Sequence, residues 1–247
     1  VKPFLFCISI VLAGKTAMCQ DLKFGGAAAA FGYSKSLNSK ADLTFSLALK
    51  SRLQPRTIEQ TYYGPQLTEY YLQGLYSFKF SRNWQMGLGY GFQRNNPFND
   101  DWRNEHRLVQ QIQFNTKFGK TTWYNRLRAE ERWFHFPVMN AVSAVRFRWQ
   151  SGWIIPLSKG YLHANNEIYL IPSRYRNAVY SENWLYAGYA WKSRSNRHFE
   201  SGAGINSVVR NKAGERLVLF LLQFNYNIMQ GAKVMEKTPP MMNNRHF

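Results

Sequence analysis

The sequence predicts an all-β fold: an antiparallel transmembrane β-barrel of about ten strands, after a cleaved signal peptide. Three observations carry this expectation. The chain opens on a secretory leader, alternates apolar and polar residues from Ala41 onward, and alternates short turns with longer loops.

Val1 and Lys2 make a short basic start, residues 3–14 an apolar run, and residues 15–20 a polar exit. That order is the grammar of a secretory signal peptide. The apolar run is too short to cross a bilayer as a helix, which needs about 20 residues. Cleavage between Cys19 and Gln20 places Ala17 and Cys19 at the small-residue positions, so residues 1–19 are expected to leave. Both cysteines, Cys7 and Cys19, go with them, and the remaining chain has neither a disulfide nor thiolate chemistry. A secreted fold without such staples must close on its own backbone hydrogen bonds or be held in lipid.

Residues 20–40 are expected as a lead-in or plug. Their Gly25-Gly26 pair and four alanines leave an eleventh wall strand open, and pairing would raise the count to twelve. The barrel proper is expected over 41–228, with strands at 41–53, 68–80, 83–94, 104–118, 121–134, 142–156, 161–171, 182–192, 197–209 and 215–228. In the last of these Phe220, Leu222, Phe224, Tyr226 and Ile228 share one face, and Gln223, Asn225 and Asn227 the other. Residues 83–93 set Trp84, Met86, Leu88, Tyr90 and Phe92 against Gln85, Gln93 and three glycines. Gly87, Gly89 and Gly91 alternate within this strand and open no helix, so they make room in the lumen and cradle no phosphate.

Tight turns at 81–83, 119–120, 157–160 and 193–196 alternate with loops at 54–67, 95–103, 135–141 and 172–181. Outer-membrane barrels alternate in this way because turns face the periplasm and loops the outside, with both termini on the turn side. Residues 229–247, with Pro239-Pro240, are expected as a flexible tail.

Alternation also suits a soluble sandwich, whose apolar faces pack together. Charge placement separates the two. Arg126, Arg128, Glu130 and Arg132 share a face, beside Glu105 and Arg107 on the strand before, Arg146 and Arg148 on the next, and His163 and Glu167 after that. Each arginine facing lipid near the midplane would cost about 2–4 kcal/mol, so these ten residues are expected in the lumen. Two readings of that lumen stay open: a bore filled by an Arg and Glu network, or a porin-like path favouring small anions, since Arg outnumbers Glu.

The strings Asn104-Glu105-His106-Arg107-Leu108, Arg126-Leu127-Arg128-Ala129-Glu130-Glu131-Arg132, Arg146-Phe147-Arg148 and Asn166-Glu167 resemble, in order and spacing, an outer-membrane barrel family, domain of unknown function 2490. The likeness spans most of residues 21–228. It implies an outer-membrane barrel with no catalytic residues to carry across. Asn183-Trp184 departs from it, because the family tends to place an Arg beside that Asn.

Two other classes compete. A lipid hydrolase at the outer membrane needs a Ser, a His and an orienting group in reach, and His106, His163, His198 and several serines supply the types without a motif that joins them. A basic soluble β-protein binding polyanions would use the charge of +18, from 32 Lys and Arg against 14 Asp and Glu. The leader argues against a nucleic-acid partner; Arg174, Arg176, Arg210 and Lys212, in or beside loops, suit lipopolysaccharide phosphates instead. No Cys pair or His-x-x-x-His spacing marks a metal site, residues 95–101 read as a turn-rich loop before a calcium site, and no cofactor is implied. The expected location is the outer membrane of a Gram-negative bacterium, with its lipid and lipopolysaccharide as partners.

Overall fold

The computed structural model describes residues 22–53, 56–58, 61–137, 141–172, 180–194, 196–209 and 216–230. The expected leader, nearly all of the expected tail, and Arg174, Arg176, Arg210 and Lys212 lie outside the described residues.

Alternating side chains suit a pleated backbone, and the described chain folds into strands: β1 (Leu22–Ser36), β2 (Ala41–Arg52), the short β3 (Arg56–Ile58) and β4 (Thr61–Tyr63), β5 (Gln66–Lys79), β6 (Trp84–Asn95), β7 (Arg103–Phe118), β8 (Thr121–His135), β9 (Val142–Leu157), β10 (Gly160–Leu170), β11 (Tyr180–Arg194), β12 (Arg197–Val209) and β13 (Arg216–Gln230). Eleven of them close a barrel in the order β1-β13-β12-β11-β10-β9-β8-β7-β6-β5-β2, while β3 and β4 pair as a separate hairpin between β2 and β5.

Among the described residues the barrel count is therefore eleven, neither ten nor twelve. Residues 22–36, expected as part of a lead-in or plug, form a wall strand that pairs with β2 on one side and β13 on the other. An up-and-down chain reverses direction at each turn, so with an odd number the first and last strands run the same way. Closure must then be parallel, and Ala29 stands beside Phe224 in a β1–β13 ladder that holds register from Leu22↔Leu217 to Lys35↔Gln230. This places the start of β1 at the loop end and the end of β13 at the turn end, where the sequence reading had both termini on the turn side.

Local chemistry sets the turns. Asn38 accepts backbone N–H bonds from Lys40 and Ala41, both at 2.8 Å, which folds β1 back onto β2. Ser81 Oγ accepts from the N–H of Trp84 at 3.1 Å between β5 and β6. Gly119 takes φ of +60° in the two-residue turn between β7 and β8, a conformation a Cβ disfavours.

Side-chain polarity is inverted relative to a soluble barrel. Met86, Leu88, Leu127, Phe147, Trp149, Leu222 and Phe224 are exposed on the outer wall, while Arg126, Arg128, Arg148, Glu105, Glu130 and Gln223 are fully buried inside. Purely apolar buried clusters are small; Tyr71 against Ala30 and Ala48 is one. Glycines on the inner face make room for large side chains of the same or the neighbouring strand. A Cβ on Gly91 would strike the Tyr71 hydroxyl, one on Gly89 would come within 2.9 Å of Leu75, and one on Gly87 within 3.1 Å of Gln111. Gly188 and Gly202 likewise flank the Tyr186 hydroxyl.

Candidate functional site

The strands that carry the charged strings are neighbours in the wall, and their registers stack the charges. Glu130 faces Arg146 across β8 and β9, Arg128 faces Arg148, and Arg107 faces Arg132 across β7 and β8. Two of these three pairs oppose like charges, which repel unless carboxylates intervene. Three glutamates do so. Glu105, Glu130 and Glu167 are essentially sealed from water, and each holds more than one guanidinium.

Glu105 accepts from Arg107, and both its oxygens accept from Arg132, Oε2 at 2.9 Å. Glu130 accepts from Arg146 Nε at 2.7 Å and Arg148 Nη1 at 2.8 Å, with Arg128 Nη1 at 3.7 Å. Glu167 takes Arg148 in a two-pronged pair at 3.0 and 2.8 Å and Arg126 at 3.3 Å. Arg148 thus ties Glu130 to Glu167. Neutral groups add to the sockets: Gln111 Oε1 accepts from Arg128 Nη2 at 2.6 Å, Gln93 accepts from Arg107, and the Tyr169 hydroxyl accepts from Arg148 at 3.1 Å while donating to Glu167 at 3.0 Å. Rings cover the guanidinium planes, with Arg148 over Tyr169 at 4.6 Å and Arg107 over Tyr71 at 4.9 Å.

His163 sits at the edge of this network. Its Nε2 is 2.6 Å from the Tyr124 hydroxyl and its Nδ1 lies 3.8 Å from Glu200 Oε1, the atom that accepts from the Tyr186 hydroxyl at 2.7 Å. All ten residues singled out in the sequence face the interior and are buried. Sequence reasoning missed Glu200 and the tyrosines Tyr71, Tyr124, Tyr169 and Tyr186. Parity was the available signal, because Tyr124 alternates in phase with Arg126 and Glu200 with His198.

The arrangement holds charge still. Each of the six arginines is within ion-pair distance of one of the three glutamates. Glu69 and Glu200, also buried, raise the interior acids to five against these six arginines. Among the described residues each of these arginines therefore sits beside a carboxylate, and the side chains of the network are buried. Of the other histidines proposed for hydrolysis, His198 is buried inside, while His106 lies on the outer wall with Nδ1 2.5 Å from the Tyr90 hydroxyl and His135 edge-on at 5.4 Å. Among the described residues no group of three or more His, Cys, Asp or Glu is placed to hold a metal ion.

Comparison with curated proteins and with solved structures returns no match. A family model described as "Protein of unknown function (DUF2490)" matches residues 31–217, from β1 to the first residues of β13 and across the whole charged network. The chain therefore belongs to that family.

Proposed function

We propose that this protein is a bacterial outer-membrane barrel with a filled bore, a transmembrane scaffold that does not conduct solutes. The observation that carries the reading is the inverted polarity of the wall: large apolar side chains exposed outside, guanidinium and carboxylate groups sealed inside. In water the outer face would be a predominantly apolar band, interrupted at exposed positions such as Gln110 and Glu131, whereas monomeric soluble proteins rarely expose contiguous apolar patches beyond a few hundred Å². In a bilayer the same band replaces lipid contacts, and the closed ladder leaves no backbone edge unpaired in hydrocarbon. The two-pronged Arg and Glu pairs support the filled bore, because fixed, mutually neutralised side chains offer an entering ion neither space nor net attraction.

Planar-bilayer recording tests the bore. Purified protein inserted as a heat-modifiable, protease-resistant species is expected to give no unitary conductance. Steps that vanish on replacing Arg128 and Arg146 would instead establish an anion path. Architecture is tested separately: the processed chain is expected to need detergent or lipid to stay folded, and stable folding in plain buffer would overturn the membrane reading.

A further inference from the structure

The exposed cations of the described structure collect at the turn end. Lys40 lies in the β1–β2 turn, Arg82 between β5 and β6, Lys120 between β7 and β8, Lys159 between β9 and β10, and Arg197 where β12 leaves its turn with β11; all five are exposed. Lys35 and Lys117, exposed at the ends of β1 and β7, add two more. Residues 37–40, 81–83, 119–120 and 158–159 contain no Asp or Glu, and Asp42 near this end is taken by Lys79 at 3.0 Å. Among the described residues, each of the five turns at this end is therefore basic or borders a basic residue.

Immediately inside this collar the outer wall carries aromatic rings. Trp84 packs against Phe114 at 4.8 Å and Phe80 at 6.4 Å, Trp123 against Trp153 at 6.2 Å, and Trp191 against Phe199 at 5.8 Å. Indole groups favour the boundary between acyl chains and headgroups, having one apolar body and one N–H donor. Cations one step beyond them stand at the level of lipid phosphate, where a juxtamembrane Lys or Arg is attracted by anionic headgroups.

We infer that the turn end is a binding collar for the anionic phospholipid headgroups of the leaflet it meets. The inference rests on the membrane reading above. Distribution favours lipid over a soluble polyanion: an acidic protein or polymer docks on one sector, whereas a headgroup layer touches the whole circumference, and the cations are spread over all five turns.

Tryptophan quenching by brominated lipid tests it with the full processed chain in mixed vesicles of phosphatidylcholine and phosphatidylglycerol. Bromine on the glycerol lipid is expected to quench more than bromine on the choline lipid, with a relative binding constant of about three or more at low salt, falling toward one as salt screens the collar. The R82Q/K120Q/K159Q variant, altered only at exposed turn positions, is expected to lose most of that preference while keeping heat-modifiable migration and protease resistance. Equal quenching by both lipids in an inserted protein overturns the collar and leaves the membrane reading standing, and a preference undiminished in the variant also overturns it. A chain that neither lipid quenches and that stays folded in buffer overturns both. If detergent-solubilised protein captures soluble polyglutamate through these residues yet has no lipid preference, the collar serves a soluble acidic partner and the inference fails.

Discussion

Glu130 lies within ion-pair distance of three arginines, Arg128, Arg146 and Arg148, and so concentrates the interior's electrostatics at one side chain. Removing its charge leaves buried guanidinium groups uncompensated, and breaking a buried pair by one partner typically costs about 3–5 kcal/mol. E130Q is expected to lower folded stability in lipid by that order, read from the urea midpoint of the heat-modifiable band. E131Q, one residue on and exposed on the outer wall, is the control and is expected to change the midpoint little. The double variant E130M/R146M should recover part of the loss, since it removes a desolvated charge on each side. Equal effects of E130Q and E131Q would mean that the network does not hold the barrel.

Each strand of the network is a two-sided object, and its outer side carries an independent prediction. Leu127 is 57% exposed, midway along β8, between buried Arg126 and Arg128. In a bilayer L127R is expected to cost about 2–4 kcal/mol, whereas L157R, at the turn end of β9, should cost about 0–1 kcal/mol. Vesicle-based unfolding of the two variants checks this, and a cost independent of depth would contradict lipid contact. The ten strands from Ala41 onward were legible because this contrast of faces repeats; the expected 104–118 and 197–209 correspond to β7 (Arg103–Phe118) and β12 (Arg197–Val209). β1 was harder to place. Its central inward residues are Gly26, Ala28, Ala30 and Gly32 and its outward ones include Gly25, Ala27 and Ala29, so neither face announces lipid or lumen.

Closure belongs to the whole barrel. Eleven strands require the parallel seam between β1 and β13, and cysteines introduced as A29C and F224C, adjacent in register and both on the outer face, should form a disulfide. That cross-link is expected to appear in the folded band and to keep it compact on boiling without reductant. A ten-strand barrel closed between β2 and β13, with residues 22–36 inside it, would give no such link. The alternation of residues along the chain was enough to establish β-structure, the polar and apolar faces, and which arginines lie on the same side, because these depend on a two-residue period that any strand obeys. How many strands close the ring, which carboxylate meets which guanidinium, and that Glu200 joins His163 depended on long-range register. Register across a sheet is settled by the packing of all its strands together, and no single segment encodes it.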